Sequence, residues 1–234
     1  MSRFILVTGS DSSHFKSLCQ FLTSACEHSD DITQIVVYDL GLESIELEEL
    51  LTKFPNIILK TFQFSKYPQY FDIKTNAGEY AWKPTILTKI LTEYKCAACW
   101  MDAGNVLTMQ TKRLRKLTKL LGLYSPLSSG TLAEWTHKST LEYLKVSKKI
   151  QEQINLTGGC VSIDYANPKA LSLAKKWSEY AMVKECIAPN GSNRENHRQD
   201  QSLLSILSYQ VGIPNKLALK LLPPTGIQFH QDIG

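Results

Sequence analysis

Asp102, Lys83 and Asp200 carry the strongest chemical signals in this chain. Asp102 closes the apolar run Ala97 to Met101 and is followed at once by Ala103 and Gly104. A carboxylate at the carboxyl end of a buried strand lies where open α/β sheets bind ligands, and a glycine beside it lets a ligand approach the backbone. The chemistry expected there is binding of a phosphorylated ligand with a divalent metal, Mn²⁺ or Mg²⁺. Such a metal needs only one or two carboxylates besides phosphate oxygens and water. Gly104 stands where a second carboxylate would be useful, so the metal would be held loosely. The alternative is an Asp102 that caps the next turn. Lys83 sits at the start of a helix, where a cation opposes the macrodipole. Pairing with a diphosphate would account for it; the alternative is a solvated lysine lying over Trp82. Asp200, in His197-Arg198-Gln199-Asp200-Gln201, precedes the last clear helix. It suits an N-cap, and a capped carboxylate is also rigidly aimed for use as a base. His230 is a second potential metal ligand, or else a surface histidine.

Smaller signals surround these. Thr8-Gly9-Ser10 follows the first strand and can present backbone N–H groups to a nucleotide, or simply turn the chain. It lacks the glycines of G-x-G-x-x-G and the lysine of a P-loop. Asp39, ending the second strand, can accept from a ribose or base, or from the N–H groups of its own turn. Asn155, Gly158 and Gly159 sit near the start of another strand, and adjacent glycines mark a bend or a close backbone approach, here to a sugar ring. Tyr180 and Lys184 make Y-x-x-x-K after an initial VTGS. A short-chain dehydrogenase is nevertheless excluded by the missing glycines and the lack of a serine suitably placed before Tyr180. Cys96 and Cys99 form a lone C-x-x-C without the second pair or histidine that zinc needs.

These residues require a framework. Apolar β-branched runs at Phe4 to Val7, Ile32 to Tyr38, Ile57 to Leu59, Ala97 to Met101 and Leu156 to Ile163 predict strands. Lys216 to Leu222 predicts a closing strand. Helical spacing predicts helices over Ser12 to Cys26, with Ser12 or Ser13 as cap, and over Leu47 to Phe54 and Pro84 to Tyr94. Further helices are predicted over Gln110 to Leu121, Ser139 to Ile150, Pro168 to Met182 and Gln201 to Gln210. The basic residues on Gln110 to Leu121 read as a solvated face. The polar segment Ile187 to Arg198 reads as a mobile loop. Strands alternating with helices imply an α/β fold with a mostly parallel central sheet in one domain spanning residues 1–234. The nucleotide-binding half would be about 1–105 and the acceptor half about 106–234.

The bulk properties narrow the class. The 234 residues carry a net charge of +4, with 43% hydrophobic and 21% charged residues, ordinary for a globular domain. That charge falls short of a nucleic-acid footprint. No run reaches the roughly 18 apolar residues of a membrane span, and the amino terminus lacks a signal-peptide pattern. The six cysteines fall mostly in apolar runs and are expected to be free thiols. A cytoplasmic location follows, the alternative being a catalytic fragment of a longer secretory-pathway protein.

Taken in order, FILVTGSDSSHF, IVVYDLGL, FQFSKYPQYF, EYAWKPTILTKIL, WMDAGN, NLTGG and HRQDQSLLSIL resemble the nucleotide-diphospho-sugar transferases of the GT-A type. More narrowly they resemble a branch with YDLGL, YPxY and Y-x-W-K-P motifs. The resemblance spans nearly the whole chain. It implies a single α/β/α domain that takes a UDP- or GDP-sugar donor and a glycan or glycoprotein acceptor. Thr8, Gly9 and Ser10 with Asp39 would hold the nucleoside, and Lys83 would face the diphosphate. Asp102, followed by Ala103 and Gly104, would be the first Asp of the D-x-D motif. Gly158 and Gly159 would line the sugar pocket with Asn155, His197 and Arg198 nearby. Asp200 matches the D-Q position of a base. Gly104 replaces the second Asp of D-x-D. That departure keeps open a non-catalytic sugar- or nucleotide-binding module of the same fold.

Overall fold

The computed structural model describes residues 3–213 and 225–233. Its strands are β1 (Phe4–Ser10), β2 (Thr33–Asp39), β3 (Ile58–Thr61), β4 (Ala97–Met101), β5 (Val106–Leu107), β6 (Leu123–Tyr124), β7 (Leu127–Thr131), β8 (Ile154–Leu156), β9 (Cys160–Ile163) and β10 (Ile227–Gln228). The longer helices are α1 (Phe15–His28), α2 (Ser44–Lys53), α3 (Trp82–Tyr94), α4 (Thr111–Leu121), α5 (Pro168–Ala181) and α6 (Gln199–Val211). A six-stranded sheet runs β3-β2-β1-β4-β9-β6. Its first four strands are parallel and β9 runs antiparallel to both neighbours. The mixed α/β class with a mostly parallel central sheet is therefore as expected.

Strand β1 reads as unbroken apolar sequence because both of its faces are buried. Ile5 and Val7 face a core built with Ile86, Leu87 and Ile90 of α3 and with Trp177 of α5. Phe4 and Leu6 face the opposite core with Leu18, Phe21 and Leu22 of α1 and Leu50 of α2. The result is three layers, helix on sheet on helix. The chain goes from β1 to β2 and β3 on one side, then crosses to β4 on the other side of β1. The order thus reverses between β1 and β4, and the crevice beyond the carboxyl ends of these two strands is where open sheets bind ligands. Ser10 and Asp102 stand at its two lips.

Several local expectations are corrected. The run 156–163 is two strands in different sheets, divided at Gly158-Gly159, because adjacent glycines supply no side chain to hold a strand. The helix expected over 139–150 is two short ones, Lys138–Tyr143 and Lys148–Gln151, with Lys145 at φ 49° between them. Ser12 and Ser13 do not cap α1. Ser12–His14 forms a separate 3₁₀ turn, and the Ser12 hydroxyl bonds the Gly41 carbonyl and the Glu46 carboxylate of α2. Helix α2 starts earlier than its apolar spacing indicates, at Ser44, because Glu43 and Glu46 form a capping box. Arg115, assigned to a solvated face, is buried and pairs with Asp30 at 2.9 Å. The strand expected over 216–222 lies outside the described residues. No helix among the described residues is long and apolar enough to cross a membrane, and all six cysteines are free thiols.

Candidate active site

Strand β4 and helix α3 make the centre of the site. Residues two apart on a strand share a face, so Asp102 lies on the same side as Trp100, toward α3. The Trp100 indole N–H donates to Asp102 Oδ1 at 2.6 Å. The Trp82 ring meets Trp100 edge-on, with centroids 5.4 Å apart. Lys83, in the first turn of α3, is thereby aimed along the same face. Its ammonium lies 2.9 Å from Asp102 Oδ1 and 3.6 Å from Asp200 Oδ2, and it donates to the Gly158 carbonyl at 3.3 Å. The rings of Tyr80, Trp82 and Trp100 stand 5.3 to 5.9 Å from it.

Lys83 is 3% exposed and Asp200 4%, which rules out the solvated lysine. Burial alone would lower the Lys83 ammonium, but the charges of Asp102 and Asp200 outweigh it and hold its pKa above the ordinary lysine value. Burial pushes the Asp200 carboxyl up to about 6, against the pull of Lys83 and with the charge of Asp102 adding to the rise. Asp200 Oδ2 is buried with no hydrogen-bond partner, its ion pair to Lys83 being too long for one. This carboxylate is not the N-cap of its helix. Arg198 holds that position, and Asp200 is the second helical residue. Its carbonyl accepts from the Trp177 indole N–H at 2.8 Å, which ties the start of α6 to α5.

These groups face a cavity of 620 Å³, within the size range of ligand sites. Of the residues singled out in the sequence, Gly9, Ser10, Lys83, Asp102, Ala103, Gly104, Gly158, Gly159, Arg198, Asp200 and His230 line it. Thr8, Asp39, Asn155 and His197 do not line it. The Asp39 carboxylate accepts from the Gly41 and Leu42 N–H groups, both at 2.8 Å, and so serves its own turn. Thr8 is buried within the sheet. Asn155, fully buried in β8, donates to the Thr131 carbonyl at 3.0 Å.

His197 is also fully buried. It bonds the Ile187 carbonyl at 2.8 Å and accepts from the His137 N–H at 3.2 Å. Burial lowers its pKa to about 4. It therefore ties the end of the segment 187–197 to the fold. Gly158 and Gly159 bring the backbone close to the two carboxylates: a Cβ on Gly158 would lie 3.0 Å from Asp200 Oδ2, and one on Gly159 would lie 3.1 Å from Asp102 Oδ2.

Trp100, Tyr80, Gln201 and Trp135 also line the cavity without having been singled out as site residues. Trp100 was within reach of the sequence through its two-residue spacing from Asp102. Gln201 accepts from the Gly158 N–H at 3.4 Å. The Trp135 ring lies under the Arg198 guanidinium at 4.1 Å, a contact between residues 63 apart that no local pattern announces. Among the described residues, no three His, Cys, Asp or Glu side chains converge into a ready-made metal cage.

A larger cavity, 910 Å³, opens at the other end of the sheet around Ile32, Thr33 and Phe54. It lacks the paired ionic groups of the first.

A family model described as "Protein of unknown function (DUF1647)" matches residues 1–88. No curated protein matches in sequence. Solved structures do match in fold. The apo structure of the bifunctional glycosyltransferase WbbM superposes with a TM-score of 0.55 at 12% identity. It covers 88% of this chain, which spans 37% of the length of that one. The galactosyltransferase LgtC in complex with donor and acceptor sugar analogues gives 0.56 at 14% identity, covering 97% of this chain and 86% of that one. An active-site mutant of LgtC gives 0.58 over the same shares at 14% identity. The chain thus shares the fold that LgtC displays, with its mostly parallel central sheet.

Proposed function

We propose that this chain is a glycosyltransferase that moves a hexosyl or pentosyl group from a UDP- or GDP-sugar to a hydroxyl of a glycan or glycoprotein. The observation that carries the reading is the buried Asp102–Lys83–Asp200 array. It stands in a ligand-sized cavity at the point where the strand order reverses. Gly9, Ser10 and Ala103 at the strand ends would receive the nucleoside diphosphate, and Gly158 and Gly159 leave room for the sugar. Lys83 holds Asp102 and Asp200 in place and adds positive charge to the wall that the diphosphate would meet.

In an inverting reaction the acceptor oxygen forms its bond to the anomeric carbon as the bond to the diphosphate oxygen breaks. The bonding pair leaves with the diphosphate, and an Asp200 oxygen takes the acceptor's proton. A pKa near 6 suits such a base at neutral pH. In a retaining reaction the same carboxylate would instead stabilise the positive charge that develops on the sugar.

A divalent cation would be held here by few protein groups. Asp102 Oδ1 is committed to Trp100 and Lys83, but the carboxylate remains partly exposed, and His230 lines the same cavity. Asp102 and His230 would hold Mn²⁺ or Mg²⁺ with phosphate oxygens completing its shell, as these ions commonly are held. The cation would offset the charge that builds on the departing diphosphate.

Gly104 and the commitment of Asp102 to Lys83 favour a second reading, a binding module without turnover. A thermal-shift panel of UDP- and GDP-sugars with and without Mn²⁺, followed by radiolabel transfer to a glycan array, separates the two. Both readings require a nucleotide-sugar to raise the melting temperature, and only the first requires label to move. Absence of any nucleotide-induced shift overturns both.

A further inference from the structure

The gap left by Gly104 is filled from elsewhere in the chain. A Cβ built on Gly104 would fall onto the carboxylate of Asp232, all three of its terminal atoms included. Gly104 is not in the left-handed region, so its backbone tolerates a side chain. Asp232, rather than φ, is what a side chain at position 104 would meet.

The position of Asp232 is built, not incidental. Strand β10 pairs with β5, and the chain after it runs back along the β4–β5 turn. The Gln231 N–H donates to the Gly104 carbonyl at 2.7 Å, and the Ile233 N–H donates to the Ser17 hydroxyl of α1 at 3.0 Å. Asp232 is therefore bracketed by an anchor on each side. It lines the 620 Å³ cavity together with Asp102 and with His230, two residues earlier.

Two further observations point to a ligand with positive charge. Asp200 Oδ2 is buried in the same cavity without a hydrogen-bond donor. The cavity is lined by Asp11, Asp102, Asp200 and Asp232 against Lys83, Arg194 and Arg198. An anionic diphosphate entering alone would meet one more negative than positive side chain. A divalent cation arriving with it removes that conflict.

We propose that Asp232 is the carboxylate that replaces the second Asp of D-x-D, joining Asp102 in holding the cation that accompanies the nucleoside diphosphate. The motif is thus split between the end of β4 and the carboxyl-terminal strap. This rests on the nucleotide-sugar reading above.

The test uses the full chain and two readouts: free Mn²⁺ by electron paramagnetic resonance during titration with saturating UDP, and melting temperature. The wild type should bind Mn²⁺ in the presence of UDP. Asp232→Asn should weaken that binding by about tenfold or more, since even outer-sphere changes at metal sites cost about 10 to 100-fold. Its melting temperature without ligand should stay unchanged. Gly104→Asp combined with Asp232→Gly should recover Mn²⁺ binding by returning the carboxylate to the adjacent position.

Wild-type Mn²⁺ affinity in Asp232→Asn overturns the assignment of Asp232, as does failure of the double variant to recover binding while it remains folded. Wild-type protein that binds UDP equally well without Mn²⁺ overturns the assignment and leaves the donor reading standing. Wild-type protein that binds neither overturns the donor reading itself.

Discussion

Asp200 is the residue on which turnover should depend most directly. Asp200→Asn keeps the shape but cannot take a proton, so the rate of sugar transfer should fall by about 10²-fold or more. In the wild type, activity should rise with pH through about 6 as the carboxyl ionises. A flat profile between pH 5 and 7 would remove Asp200 as the base. The same shift has a consequence for stability with a definite sign. The folded-state pKa lies above the ordinary value of 3.8, so between about pH 4 and 6 the folded state binds more protons than the unfolded one. Stability contributed by this group should therefore fall as pH rises through that window and level off above it. Melting curves across pH 4–7 check this, and the Asp200→Asn variant should lack that component of the slope.

Lys83 has a structural debt attached to its site role. Lys83→Met keeps the stem and removes the charge, leaving the buried Asp200 without its counter-ion. Breaking a buried pair in this way costs about 3–5 kcal/mol. The lower end applies here, because Asp102 is 42% exposed at its side chain and can be solvated. A chemical denaturation midpoint shared with the wild type would show that the pair carries no such cost.

At the scale of elements, the site is the meeting of three chain segments: the end of β4, the first turn of α3 and the start of α6. The turn between β8 and β9 forms the floor against which they close. Gly158→Ala probes that floor. Its methyl group would stand 3.0 Å from Asp200 Oδ2 and 3.3 Å from Gln201 Cβ. Overpacking of this kind costs about 1–3 kcal/mol, equivalent to a fall of a few degrees in melting temperature for a chain of this size. The stabilisation gained from a nucleotide-sugar should drop further than the unliganded melting point does. An undiminished ligand-induced shift would mean that the sugar does not rest on this turn.

At the scale of the whole molecule, the two cores on opposite faces of the sheet supply the rigidity that these segments need. Four of the six cysteines, Cys19, Cys99, Cys160 and Cys186, are buried in those cores. Denatured, unreduced protein should therefore titrate with all six thiols reactive. In the native state Cys26, which is exposed, should react first and the buried four last. Mass spectrometry after brief alkylation distinguishes them, and rapid native labelling of Cys99 or Cys160 would contradict the packing of β4 on β9.

What the sequence determined by itself is what depends on near neighbours. Apolar runs buried on both faces announced β1, β2 and β4, helical spacing announced α1, α3, α5 and α6, and their alternation announced the α/β class. Asp102 and Lys83 were legible because a strand end and a helix start are local features with known ligand chemistry. Only tertiary structure decided the partners. A contact with a distant residue leaves no periodic trace, so nothing local showed that Lys83 reaches both Asp102 and Asp200. Nor did any pattern separate His197, locked under burial, from Arg198 one residue later in the cavity. The placement of Asp232 in the gap at Gly104 is the clearest case. It joins residues 128 positions apart in the chain, and the carboxylate of one lies where a side chain on the other would stand.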